Sequence, residues 1–257
     1  MADAFSSPKQ LITHARDEIN EVARLLTEFA SKQKGIKVVY NDFQAGQQVF
    51  CVRITGPELP PKVSNRIKDV ASNLRDALDH AVYSSAIAIN GGSPSNTGFP
   101  FARDAAGING ELNGKRLSDN PSEIRSLLAS FHPYDGGNDA IWGLNQLRNA
   151  NTHRFIVPVG SAAIFGGLGI GSGVIAGNSM IGYNRWNATK NEVEYMRLEF
   201  GSYAKHQVNI TVSVQFEDIK AVAGKEVIGT LNLMADETFR IVSAIEAETL
   251  KIISAKT

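Results

Sequence analysis

Leu144–Val157, LNQLRNANTHRFIV, is the stretch on which the fold turns, because a helical pattern stops inside it and a strand pattern begins. Ile141, Leu144 and Leu147 recur at the spacing of one helix face, predicting a helix over 139–149. Arg148 lies one turn beyond Leu144 on that apolar stripe, so it is expected to point inward. A buried guanidinium keeps its charge and therefore requires an acid or an anionic ligand. Asp76 and Asp79 are the expected acids. Asn149 and Asn151 favour caps and turns over helix interior, which places His153 just past the helix end, free to face a cleft. Phe155-Ile156-Val157 then reads as the start of a strand.

Outward from this point, helices and strands separate by period. Upstream, Leu11, Ile12, Ala15, Ile19, Val22, Ala23, Leu26 and Phe29 follow Ser7-Pro8, a start signal, and predict a helix over 8–32. Two β-rich runs, 36–40 and 49–55, flank the turn-prone NDFQAG and read as a hairpin. Pro57, Pro60 and Pro61 precede a second helix over 62–89, whose stripe is Val63, Ile67, Val70, Leu74, Leu78 and Ala81. Residues 98–120 have little period and read as a long loop that Phe99-Pro100-Phe101 anchors to the core, and Pro121 starts a short helix through Ser130.

Downstream, 155–182 is a charge-free, glycine-rich run. It matches the length of a bilayer span, but its glycines, proline and serines and the lack of basic flanks favour buried strands and tight turns. In 193–200, Met196, Leu198 and Phe200 are expected on one side of a strand. Val208, Ile210, Val212, Val214 and Phe216 alternate with Asn209, Thr211, Ser213 and Gln215, the pattern of a strand with one wet face. Leu231, Met234, Thr238, Ile241, Ile245, Thr249 and Ile252 trace a last helix over 230–254. The expectation is α+β: a helical bundle with an antiparallel β-sheet packed against it, in one domain over 1–257. Its helical part would be about 8–150 with the hairpin at 36–55, and its β-rich part about 155–228.

Composition bounds function. Lys plus Arg and Asp plus Glu number 26 each, so no overall basic field exists to hold long nucleic acid non-specifically. Cys51 is the single cysteine, which excludes an internal disulfide framework and a thiolate zinc cluster. With no signal-like run in MADAFSSPKQ, the expected location is cytoplasmic, with no membrane partner. GSGVIA within 166–177 lacks the strand and helix of a dinucleotide site. Ser118-Asp119-Asn120 and SYAK at 202–205 occur in the wrong order for a penicillin-recognising enzyme. His14, His132 and His206 form no metal-ligand spacing, and no cofactor or metal is expected.

What remains is a repeated spacing: arginine, four residues, histidine, at Arg75–His80 and Arg148–His153, with a looser Arg125–His132 pair. Arg148, Asn149 and His153 carry the RxxxxH motif, polar residue after the arginine, that resembles the catalytic motif of the HEPN superfamily. LRDALDH, followed by LxxLRNxxxH, is also similar to segments of a widespread set of functionally uncharacterised bacterial proteins, and this likeness covers 62–158. The HEPN resemblance implies a metal-independent endoribonuclease acting at a homodimer interface. In it His153 would take the proton of a ribose 2′-OH, Arg148 would stabilise charge on the phosphate and Asn149 would position a reacting group. The alternative is a non-enzymatic helical scaffold that binds a small anion, a nucleotide or a partner protein through the same pocket. The second set, Arg75, Asp79 and His80, has a structural reading. His80 lies about 140° round the helix from Arg75, so Arg75 is expected to pair with Asp79, and His80 with Asp76.

Overall fold

The structure is a computed structural model that describes residues 4–95, 97–114, 117–150, 155–170, 173–175, 184–200 and 203–256, with backbone alone at 165–170, 173–175 and 203–205. The fold is α+β, and its contacts group into two compact units. One comprises residues 1–24, 61–156 and 215–257, the other 25–60 and 157–214. The chain crosses between them repeatedly, which explains why no linker marks a boundary in the sequence.

The first unit is a helical bundle. It contains the amino-terminal part of α1 (Ser6–Ser31), α2 (Pro61–Asn90), α3 (Ile108–Asn113), α4 (Ser122–Ser130), α5 (Asp139–Asn149) and α6 (Val227–Lys256). Helix α2 starts on Pro61, which has no amide hydrogen to leave unpaired. It ends where Gly91, at φ +69°, returns its N–H to the Ile87 carbonyl at 2.8 Å, a left-handed stop that a side chain would resist. Its buried residues, from Val63 through Leu74 and Leu78 to Ala86, cover much of its circumference, so α2 sits inside the bundle. Polar contacts show the direction of α1: Glu18 pairs with Arg66 while Ser7 meets His80, so α1 runs antiparallel to α2. Lys9–Glu246 and Arg16–Asp236 make α1 antiparallel to α6 as well. Deep between α2 and α6, Thr249 donates to the Ile245 carbonyl at 2.7 Å and accepts from Ser85 Oγ at 2.8 Å, satisfying two buried hydroxyls.

The second unit is β-rich. β1 (Lys34–Asp42) and β2 (Gln47–Thr55) form the expected hairpin. With β5 (Arg185–Asn187) and β6 (Glu192–Glu199) they make an antiparallel sheet in the order β1-β2-β6-β5. β3 (Ile156–Ile170), β4 (Gly173–Ile175) and β7 (Tyr203–Phe216) make a second sheet in the order β4-β3-β7. Both long strands begin or end in the helical unit, where the Glu217 N–H reaches the Phe155 carbonyl. Val52, Ile54, Ala162, Ile164, Val193, Tyr195 and Met196 form the core of this unit, with Val208, Ile210 and Val212 of β7 against it.

Three local expectations differ from the structure. The 98–120 stretch contains the short helix α3, because Ile108 and Leu112, one turn apart, are both buried. In β6 the register shifts opposite Phe50 and Cys51, so Val193, Tyr195 and Met196 are all buried, since a bulge sets strict alternation aside. Phe200 lies beyond the strand end, 45 % exposed and against Phe43 rather than in the core. The glycine-rich run contributes β3 and β4, and its residues 171–172 and 176–182 lie outside the described ones. Among the described residues, no helix is long and apolar enough to cross a membrane.

Candidate functional site

Helix α5 is capped by Asn138, whose side chain accepts the Ile141 N–H at 3.2 Å while its amide donates to Glu237. Ala140, Ile141, Gly143, Leu144 and Leu147 are buried, but Arg148 is exposed. The expected burial of Arg148 against Asp76 or Asp79 is therefore wrong. Helical spacing gives a side chain's direction and not how far neighbouring elements extend along the axis. In the last turn the buried sector has narrowed to Leu147, and a long arginine stem runs out to water from there. Among the described residues no carboxylate pairs with Arg148. Its charge does complement the partial negative charge of the helix end. Asn149 is also exposed, its side-chain amide donating to Asn145 Oδ1 at 3.4 Å, and Ala150 closes the helix. His153 and Asn151 lie outside the described residues. Phe155 is buried, stacks on Phe216 and carries Lys68 over its ring.

The inward arginine is Arg75. It is 8 % exposed, pairs with Asp79 one turn along α2 and sits 4.3 Å over the ring of Phe101. Asp79 also accepts the Phe99 N–H at 2.7 Å, and Arg75 donates to the Phe99 carbonyl. The Arg75–Asp79 pair, as its spacing predicts, thus fastens the FPF loop to α2. His80 projects elsewhere: its Nδ1 lies 2.8 Å from Ser7 Oγ, so the expected Asp76–His80 pair does not form. Seventy-three residues of chain separate Ser7 from His80, and no local pattern announces their contact. A concavity of about 540 Å³ is lined there by Ser7, Asp79, His80, Tyr83, Ser84 and Ile87.

The two arginine–histidine segments are thus electrostatically unlike. Arg75 is neutralised, buried and committed to a loop; Arg148 is exposed and has no acid partner among the described residues. No hydrogen bond or ion pair joins Arg148 or Asn149 to Arg75, Asp79 or His80 among the described residues.

A third cluster, in the β unit, has no counterpart in the sequence spacing. Glu192 is 3 % exposed and accepts from Tyr40 Oη at 2.6 Å and from Arg53 at 2.7 and 2.9 Å. Burial pushes its carboxyl up, but the Tyr40 and Arg53 hydrogen bonds outweigh it and hold the group below the usual carboxylate range. Glu192 faces Arg53 across the β2–β6 register, a pairing that sequence spacing does not reveal. A concavity of about 550 Å³ includes Tyr40, Glu192, Cys51, Lys190 and Trp186. Its carboxylate is already satisfied, and burial with Glu192 and Glu194 nearby pushes the Cys51 thiol up to about 11. Neither is a ready base or nucleophile at neutral pH.

Comparison with known proteins returned no matching family model, no matching curated protein and no matching solved structure.

Proposed function

We propose that the carboxyl-terminal end of α5 binds a phosphodiester, and that the chain acts on RNA as a HEPN-like, metal-independent endoribonuclease. The observation that supports this is the state of Arg148: exposed, beside Asn149, and without a carboxylate partner among the described residues. An uncommitted guanidinium offers its fork of donors to phosphate oxygens, which a neutralised one such as Arg75 does not. In the proposed reaction His153 takes the 2′-OH proton, the 2′-oxygen attacks the adjacent phosphorus and the P–O5′ bond breaks, the 5′-oxygen taking a proton from water to leave a 2′,3′-cyclic phosphate and a 5′-hydroxyl. Arg148 stabilises the negative charge that accumulates on the phosphoryl oxygens, and Asn149 positions a reacting group.

The test is cleavage of single-stranded RNA in EDTA by purified protein, since imidazole and guanidinium suffice for this chemistry. His153→Ala is expected to lower the rate by about 10² to 10⁴, the usual loss of a general acid or base, with the circular dichroism spectrum unchanged. His80→Ala serves as the control and should retain cleavage. Cleavage that survives His153→Ala refutes the assignment.

The alternative is a non-enzymatic scaffold that holds a small anion or nucleotide, and the concavity beside His80 favours it. Its volume of about 540 Å³ falls within the range of small-molecule sites. Ligand binding lost in His80→Ala, with no RNA cleavage by the parent protein, selects this reading.

A further inference from the structure

Strand β1 is the outer strand of its sheet: β2 pairs along one side, and among the described residues no strand pairs along the other. It is nine residues long, mostly exposed, and shows apolar side chains at Ile36, 52 % exposed, and Val39, 49 % exposed. A long, exposed edge of this kind offers a row of main-chain donors and acceptors to another strand. Its sequence, Lys34-Gly-Ile-Lys-Val-Val-Tyr-Asn-Asp42, identifies which strand fits.

We propose that β1 pairs antiparallel with β1 of a second copy of this chain, about a two-fold axis at Val38. In that register Lys34 faces the second copy's Asp42, Ile36 faces its Tyr40 and Val38 faces its own counterpart. Residues 34, 36, 38, 40 and 42 share one face of the strand. That face of the junction then carries an apolar stripe of Ile–Tyr, Val–Val and Tyr–Ile, closed at each end by a Lys–Asp pair. Opposite charges and a β-branched–aromatic pair directly across an antiparallel junction are both stabilising. The two-fold makes every such pair occur twice, as an isologous interface requires.

The charges at the edge are disposed for this pairing. Lysines on an outer strand ordinarily discourage association. Lys37, however, reaches over to the His206 carbonyl at 3.0 Å, taking its ammonium away from the edge. Lys34 has no acid partner among the described residues. Asp42 accepts from the Ala45 N–H and from Arg197, so its carboxylate is held in place at the strand end. Joining two four-stranded sheets at β1 gives one continuous sheet with β5 at both outer edges. This interface lies in the β unit and does not depend on the chemistry proposed for α5.

Sedimentation equilibrium of the full chain is expected to show a monomer–dimer equilibrium in the micromolar range. Lys34→Asp alone, or Asp42→Lys alone, sets like charges against each other at both ends and should weaken the dimer by about tenfold or more. The double reversal restores opposite charges and should restore association, which a merely unfolded variant does not do. Val38→Cys, made in a Cys51→Ala background because Cys51 lies directly opposite residue 38 on β2, should form an interchain disulfide under mild oxidation, because only a residue on the axis meets its own copy; Leu250→Cys on α6 in the same background should not. A monomer throughout the micromolar range overturns the proposal. So does a dimer insensitive to both charge reversals, or one that Val38→Cys fails to cross-link.

Discussion

Replacing Arg75 by methionine keeps most of the aliphatic volume and removes the guanidinium, so it isolates the electrostatic role of this group. Removing one member of a fully buried ion pair costs about 3 to 5 kcal/mol, because the other charge is left uncompensated. Here the remaining carboxylate is partly wet, the Asp79 side chain being 34 % exposed, and it keeps the Phe99 N–H. That lowers the electrostatic loss to about 2 to 3 kcal/mol. The contact over Phe101 adds about 0.5 to 1 kcal/mol, for an expected total near 3 kcal/mol. Because the chain has two units, one global transition is not a safe assumption. Trp142 lies in the helical unit and Trp186 in the β unit, so urea unfolding followed by tryptophan fluorescence in a Trp186→Phe background reads the helical unit alone. Arg148→Ala is the matched control, an exposed arginine whose loss should change stability by less than about 0.5 kcal/mol. In a double-mutant cycle with Asp79→Asn, a coupling of about 1 to 2 kcal/mol is expected. A loss below about 1 kcal/mol for Arg75→Met, or losses that simply add in the cycle, would refute the view that this pair clamps the FPF loop.

Two further predictions concern the β unit. A Cβ at Gly160 would lie 2.2 Å from Ile54 Cδ1 and 2.9 Å from both Trp186 and Val193, so Gly160→Ala should cost about 1 to 3 kcal/mol as overpacking, read as an earlier urea midpoint in Trp186 fluorescence; an unchanged midpoint rejects the close packing. The Glu192 carboxyl is held below its ordinary value of 4.5 in the folded chain, so its stabilising effect is fully present above that value and is lost as pH falls through the lower, folded one. Glu192→Gln should therefore be less stable than the parent by about 1 to 2 kcal/mol at neutral pH, a figure discounted for the half-exposed Arg53. The gap should close below pH 4.5, and a gap that persists undiminished in acid contradicts the linkage.

The elements of this chain are largely written in its local spacing. Apolar residues three and four apart mark α1, α2, α5 and α6, and the alternation from Val208 to Phe216 marks most of β7, because periods of 3.6 and 2 are properties of the backbone itself. The Arg75–Asp79 pair was legible for the same reason, since both residues lie on one helix a single turn apart. For Arg148 the same rule misleads. Its angle round α5 places it on the apolar side, but exposure depends on whether another element still covers the last turn, and that is decided by chain elsewhere. The tie of Glu192 to Arg53 and Tyr40, the contact of His80 with Ser7 and the bulge that buries Tyr195 were likewise beyond the sequence, because each follows from strand register or helix packing between residues distant along the chain. Local periodicity specified which segments become helices and strands, while the meeting of those segments determined which charges are buried, which are satisfied and which are left exposed.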